Sequence, residues 1–175
     1  MTGEAGAPLP TPPVGSPTLV RTAAVSDAEP VVEVYVASWN AGFGTLMPHR
    51  VVDEALVDRW RTDLVDVGVW RVAVDSGSGR ILGFAGTRPS RDPLDPDLGE
   101  LDTIAVAPDC WRRGVGSVLM RDAIDVMARA GYAEAVLWTL ADYPLGQDFY
   151  RRTGRSASGE ARAEGRQVAF RRRLR

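Results

Sequence analysis

The segment from 106 to 120, VAPDCWRRGVGSVLM, combines two arginines, a Gly-x-Gly turn and an apolar pattern at helical spacing. A glycine-rich turn before a helix presents unpaired backbone N–H groups, and the helix dipole adds partial positive charge there. Gly114 and Gly116 lack a Cβ that would hold a phosphate away, and Arg112 and Arg113 can add charge-assisted hydrogen bonds. The segment therefore predicts an anion site, with a simple tight turn and solvated arginines as the alternative.

Two familiar nucleotide-binding motifs do not fit this turn. A dinucleotide fingerprint needs a third glycine where Leu119 stands, and its ribose-binding acid follows a second strand, whereas Glu134 precedes one. A Walker loop needs a lysine, and all 21 basic side chains of the chain are arginine. A pyrophosphate held by main chain and arginine is the ligand that remains.

Composition limits the class of protein. The 175 residues, 45% hydrophobic and 25% charged, are enough for one compact domain, and a net charge of −2 makes nucleic acid a poor partner. Cys110 is the only cysteine and His49 the only histidine, which excludes an intrachain disulfide framework and a Cys/His metal cluster.

The ends of the chain and its apolar runs indicate the compartment. Residues 1–18 are rich in Pro, Gly and Thr, which predicts a disordered arm before a single domain at 19–175. The arm lacks the features of a secretory signal, and no run approaches the roughly 18 apolar residues of a membrane span. We therefore expect a cytoplasmic protein with no membrane partner.

The apolar periodicity predicts the elements that must position the turn. In chain order these are a strand at 19–25, helices at 27–39 and 52–64, strands at 69–75, 80–88 and 100–106, a helix at 115–130, a strand at 135–140, a helix at 145–152 and a strand at 167–174. Ser26 and Glu29 have capping-box spacing at the first helix, and the glycines of 38–49 argue against its continuation. The terminal FRRRLR is expected on an edge strand. This order is typical of a mixed α/β sheet with helices on both faces.

Four segments, in the right order, resemble the GCN5-related N-acetyltransferase (GNAT) family, in its bacterial small-molecule type. GELDTIAVAPDCWRRGVGSVLM is similar to the family's central strand, pyrophosphate loop and following helix, and the other three matches are ASWNAGFGTLMP, GYAEAVLWTL and GQDFYRRTG. The resemblance implies a mixed central sheet with splayed central strands. It also implies an enzyme that moves the acetyl group of acetyl-CoA to a primary amine of a small molecule.

The resemblance implies acetyl-CoA as co-substrate, with no metal. The residues that would bind it are Ile104, Ala105, Val106, Arg112, Arg113, Gly114, Val115, Gly116, Ser117 and Tyr143. The chain departs from the family pattern at four positions. Trp111 stands at the first Gln/Arg position, Tyr143 replaces an asparagine, Gly146 an alanine, and Arg155 a phenylalanine.

Acetyl transfer to an amine needs a base for the ammonium proton and an acid for the leaving thiolate. Glu100 is the candidate base, and Asp102, two residues along the strand, is the fallback. An exposed strand-end charge is the alternative role for Glu100. Tyr150 matches the family's tyrosine that protonates the CoA sulfur, with a core aromatic as its alternative role. The resemblance places the carbonyl oxygen on the Val106 N–H of a bulged strand.

Trp39 and Phe43 are predicted to line the acceptor pocket, and the alternative is that they seal the core. Cys110 has no base nearby in the sequence and is expected to be a packing residue. Two other functions stay open, namely a non-catalytic acyl-CoA-binding module and an acetyltransferase for a protein or peptide amine. The expected partner is a small-molecule amine, and a homodimer is compatible with the sequence.

Overall fold

A computed structural model of the chain describes residues 17–66, 68–91 and 95–174. Its strands are β1 (Thr18–Thr22), β2 (Val69–Asp75), β3 (Ile81–Pro89), β4 (Leu98–Val106), β5 (Glu134–Leu140), β6 (Ser156–Arg162) and β7 (Gln167–Arg173). Its α-helices are α1 (Ala28–Phe43), α2 (Glu54–Asp66), α3 (Val115–Arg129) and α4 (Pro144–Arg152). The predicted arm lies outside the described residues except for Pro17 and Thr18, and Thr18 already belongs to β1.

The described strands form one sheet in the order β1-β2-β3-β4-β5-β7-β6. The β4–β5 pair is parallel and the others are antiparallel. β4 and β5 are in register only from Leu98–Glu134 to Glu100–Val136, after which the two strands diverge. The predicted mixed sheet with splayed central strands is confirmed. The divergence opens a gap along residues 101–106 of β4.

A bulge in β4 lies where the strands begin to separate. Gly86 of β3 is opposite Thr103 and Thr87 is opposite Leu101, so Asp102 is the extra residue. A bulge bends its strand and increases the local twist. The bend at Asp102 therefore accounts for the loss of pairing between β4 and β5 beyond Glu100.

Helices cover both faces of the sheet, as predicted. A Cβ on Gly83 would lie 3.0 Å from Leu119 of α3, whereas the ring of Phe84 lies 5.1 Å from that of Trp60 in α2. Successive strand residues point to opposite faces, so α3 and α2 pack on opposite sides of β3. In the part of the chain that the structure describes, no helix combines the length and the apolar character of a bilayer span.

The start of α1 differs from the prediction. The carboxylate of Asp27 accepts a hydrogen bond from the Ala24 N–H at 2.8 Å, and Arg21 binds its two oxygens at 2.6 and 2.8 Å. The hydrogen bond from Arg21 lowers the pKa of Asp27 below its usual value. The turn before α1 is thus held by Asp27 and not by a box of Ser26 and Glu29.

The end of α1 also differs, because the helix continues past Trp39 to Phe43. A Cβ on Gly42 would lie 2.8 Å from the hydroxyl oxygen of Tyr143, and the rings of Phe43 and Tyr143 are 4.5 Å apart. The closely packed Tyr143 ring thus accounts for a glycine inside the last turn. The contacts that the Tyr143 ring makes with the end of α1 outweigh the roughly 1 kcal/mol by which a glycine destabilises a helix.

The C-terminal hairpin contains a strand that the sequence did not predict. β6, SASGEAR, has no apolar alternation and is largely exposed. Because β6 forms the edge, β7 lies between β5 and β6, and the prediction of an edge strand for FRRRLR is wrong. Arg171 of β7 pairs with Glu160 and Glu134 on its two neighbours, each at 2.7 Å, and the bond to Glu160 raises its pKa.

Candidate active site

The turn before α3 leaves backbone donors free for an anion. Gly114 has φ +88°, a left-handed conformation that glycine adopts without strain. A Cβ at this position would meet nothing within 4 Å, so the backbone conformation and not close packing favours glycine. Arg112 is also left-handed, with φ +60°. The Val118 N–H donates to the Gly114 carbonyl at 3.0 Å, and no side chain caps the helix. The N–H groups of residues 115–117 therefore lack an intrahelical acceptor.

Gly116 has a second role, in packing. A Cβ on this residue would lie 3.2 Å from the Phe149 ring of α4 and 3.7 Å from Val106. Trp111 also holds the turn in place, since its indole N–H donates to the Val106 carbonyl at 2.7 Å. The tryptophan that departs from the family pattern thus ties the loop to the end of β4.

The free edge of β4 presents backbone groups to the gap. The Ala107 N–H donates to the Leu82 carbonyl at 2.8 Å, so it points towards β3. Because N–H groups alternate along a strand, those of Val106 and Ile104 point the other way, into the gap. β4 is bulged as expected, with the extra residue at Asp102.

Tyr150 lies on α4 beside the sheet. Its half-buried ring is 5.8 Å from that of Phe170 and 5.5 Å from that of Phe149. Burial raises the pKa of Tyr150 to about 12, and the nearby charge of Arg155 partly opposes the shift. A tyrosine hydroxyl is protonated at neutral pH even without this shift, as a general acid requires, and the ring packs as a core aromatic.

The Tyr143 ring explains why residue 146 is a glycine and not the alanine of the family pattern. A Cβ on Gly146 would lie 2.5 Å from two ring atoms of Tyr143, and the other side of the ring packs on Gly42. Gly146 therefore makes room for the tyrosine, and the ring joins the end of α1 to the start of α4. A contact between Tyr143 and the cofactor stays a prediction.

The two candidate bases share one arginine. Glu100 is 2% exposed, so the alternative role of an exposed strand-end charge is wrong. The backbone N–H and the guanidinium of Arg91 donate to the Glu100 carboxylate at 3.2 and 3.4 Å, and the same guanidinium also binds Asp102. Arg91 lies in the β3–β4 loop, where no local sequence pattern marks it as a site residue.

A cavity of about 170 Å³ lies beside Asp102. Residues of α1, α2, β2, β3, β4 and the β3–β4 loop line it, among them Tyr35, Trp60, Trp70, Arg59, Arg88, Arg91 and Asp102. Trp39 and Phe43 are not among the lining residues. Their rings pack on each other at 5.0 Å, and Tyr35, one helical turn before Trp39, reaches the cavity in their place.

The remaining sequence predictions concern Cys110 and the side chains that could bind a metal. Cys110 is 4% exposed, and burial raises the pKa of its thiol, as expected of a packing residue. Among the described side chains, no three His, Cys, Asp or Glu residues are grouped so that they could hold a metal ion.

A comparison with known families agrees with the splayed sheet and the glycine turn at α3. The model of the acetyltransferase (GNAT) family matches residues 29–154, more than half of the chain. The chain therefore belongs to the GNAT acetyltransferase family.

Individual relatives agree with this assignment. Mycothiol acetyltransferase of Pseudarthrobacter chlorophenolicus is 34% identical over 100 residues, which are 57% of this chain and 31% of that protein. The chain thus spans about a third of the length of the curated relatives it matches.

Two solved structures show the same fold. PaiA N-acetyltransferase from Thermoplasma acidophilum, in complex with coenzyme A, has a TM-score of 0.70 at 16% identity over 90% of this chain and 99% of its own. A GCN5-related N-acetyltransferase from Kribbella flavida has a TM-score of 0.69 at 22% identity over 89% and 97%.

Proposed function

We propose that this protein transfers the acetyl group of acetyl-CoA to the primary amine of a small molecule. The observation that carries the proposal is the gap between β4 and β5 together with the uncapped start of α3, where Gly116 lies against Val106 at the end of β4. Membership of the GNAT family supports the reaction, and the relatives named mycothiol acetyltransferase support a small-molecule acceptor.

The residues around the gap suit the shape and charge of acetyl-CoA, which supplies an activated thioester. The N–H groups of residues 115–117, with Arg112 and Arg113, would bind the pyrophosphate. The edge of β4 would pair with the pantetheine chain, as a further strand would. The Val106 N–H, which points into the gap, would hold the carbonyl oxygen of the acetyl group.

The proton transfers would fall to two side chains. Glu100 would accept the proton of the ammonium, directly or through water, and Asp102 is the fallback. Tyr150 would donate its proton to the departing sulfur, since a phenol is protonated at neutral pH and burial raises its pKa further. Arg91 would orient both carboxylates through the bonds it donates to them.

Release of CoA thiol over a panel of amines, amino acids, aminoglycosides and peptides tests the proposal. We expect turnover with at least one small amine and little with peptides. CoA binding without turnover on any acceptor would favour a non-catalytic acyl-CoA-binding module. Preferred turnover of peptides would favour an acetyltransferase for protein or peptide amines.

A further inference from the structure

Arginines outnumber carboxylates in the lining of the cavity beside Asp102, and Arg91 also binds Glu100, which is not a lining residue. Among its described lining residues, three arginines face two aspartates. Arg59 pairs with Asp63 at 3.4 Å on α2, and Arg91 donates to Asp102. Arg88 is left with a distant contact to the same Asp102 carboxylate, at 3.9 Å. Arg88 is therefore the cation least neutralised by the carboxylates of the cavity.

Arg88 also has an unused hydrogen-bond donor. Its Nε atom is buried and has no acceptor within the described residues, although the side chain as a whole is 29% exposed. A guanidinium is a planar fork of donors that matches the two oxygens of a carboxylate. The aromatic side chains of Tyr35, Trp60 and Trp70 form part of the wall around it, which would strengthen such a pair by limiting water.

The cavity lies within reach of the gap. Asp102 and Thr103 belong both to its lining and to β4, and the next residue, Ile104, directs its N–H into the gap. At about 3.3 Å per residue, Thr103 is roughly 10 Å from Val106 along the strand. A small molecule could therefore place an amine beside the gap, near Glu100 and Asp102, and a second group in the cavity.

We propose that the acceptor amine carries a carboxylate, and that Arg88 binds this carboxylate in the cavity with Arg59 at the rim. The inference rests on the proposed acetyl transfer and names its acceptor class, that of amino acids with a spacer between the two groups. The competing occupant is a second ammonium group, held by the aspartates and the aromatic rings. A diamine would then be the preferred acceptor.

Matched acceptors test the proposal on the full chain. The pairs are β-alanine with ethylamine, 4-aminobutyrate with propylamine and 6-aminohexanoate with pentylamine, and 1,3-diaminopropane and 1,5-diaminopentane represent the diamines. We expect at least one amino acid to have a KM roughly tenfold or more below that of its alkylamine, the scale of a charge-assisted hydrogen bond. Equal KM values within every pair, or a preference for the diamines, would overturn the proposal.

Three variants locate the effect. Arg88→Gln should raise the KM of the preferred amino acid roughly tenfold and leave that of its alkylamine unchanged. Arg129→Gln, on the exposed surface of α3, is the matched control and should change neither. Arg59→Gln, whose wild-type side chain is 71% exposed, is the second variant in case Arg88→Gln does not fold. It should raise the KM of the amino acid by a smaller factor. A similar KM increase for both members of a pair would contradict the assigned role.

The failures of the two proposals can be told apart. Turnover without discrimination between the paired acceptors contradicts only the carboxylate site. Absence of both turnover and CoA binding contradicts the acetyltransferase. If CoA binds and no acceptor turns over, calorimetry with 4-aminobutyrate and propylamine on the CoA-loaded protein decides the question. Equal binding of the two probes would overturn the carboxylate site, and tighter binding of 4-aminobutyrate, lost in Arg88→Gln, would support it.

Discussion

At the scale of single residues, Tyr150 combines a half-buried ring with a phenol whose pKa burial raises to about 12. Because only the hydroxyl would take part in proton transfer, Tyr150→Phe should leave acetyl-CoA affinity nearly intact and lower kcat. General acids contribute about 10²–10⁴-fold, and we expect the low end, because a thiol is a good leaving group. Steady-state kinetics together with a binding titration would check this. An unchanged kcat would remove Tyr150 from the mechanism.

The same residue predicts a stability change in alkaline solution. The folded protein holds the phenolic proton more tightly, with a pKa of about 12, than the unfolded chain does at about 10. The resulting stabilisation is fully present below pH 10 and is lost as the pH rises through 12. Wild type should lose up to about 2–3 kcal/mol more free energy of unfolding than Tyr150→Phe across this range. Urea denaturation of both proteins at several pH values measures the difference, and parallel curves would contradict it.

Arg155 is a buried guanidinium whose Nη1 donates to the carbonyl and hydroxyl oxygens of Thr153 at 3.3 and 3.2 Å. The residue is 4% exposed, its Nη2 has no acceptor among the described residues, and burial, with the nearby Arg172, lowers its pKa to about 10. A buried charge without a carboxylate partner costs free energy, so an apolar side chain of similar volume should be tolerated or favoured at this position. Arg155→Met should raise the free energy of unfolding at pH 7 by about 1–2 kcal/mol. The exposed Arg152→Met is the control, and a clear loss of stability in Arg155→Met would contradict the prediction.

At the scale of elements, α1 and α4 are joined by one aromatic ring. Gly146→Ala should cost about 1–3 kcal/mol, because its Cβ would lie 2.5 Å from the Tyr143 ring. In a Tyr143→Ala background the same substitution should be neutral or favourable, since alanine is the better helix former. A double-mutant cycle by chemical denaturation measures the coupling. Additive effects would show that the two positions are independent.

The edge of β4 predicts a difference between neighbouring amides. The Ala107 N–H is already bonded to β3, whereas the Val106 N–H points into the gap. Acetyl-CoA should therefore slow hydrogen exchange at Val106, and more strongly than CoA does, because the acetyl oxygen would accept this hydrogen bond. Ala107, in the same strand end, is an internal control. Equal changes at both amides would contradict the proposed oxyanion contact.

Across the whole molecule, the two halves of the sheet pair through the short parallel register of β4 and β5 and share one buried core. A ligand in this gap should stabilise the fold, by about 2.7 kcal/mol at a concentration of about 100 times its Kd. We therefore expect CoA to raise the Tm. Arg113→Gln, at the start of α3, should reduce the shift, and Arg129→Gln, at the other end of the same helix, should not. A wild-type Tm that saturating CoA leaves unchanged would contradict the cofactor site.

The features that depend on nearby residues could be predicted from the sequence. The glycine turn, the helix that follows it and the order of most strands rest on local backbone preferences and apolar periodicity, so they can be predicted from a short window. The family resemblance extended this to the splayed sheet. β6 escaped prediction because its small polar residues carry no apolar alternation and the strand is defined by pairing with β7.

The assembly of the candidate site could not be predicted from the sequence, because it depends on contacts between distant residues. Arg91 meets Glu100 and Asp102 across 9 and 11 residues of chain, and the bulge at Asp102 is visible only against β3. The cavity of Arg88 likewise depends on where α2 packs against the sheet. Such contacts depend on how distant segments pack and on which charged side chains they bring together. A local sequence pattern contains neither kind of information.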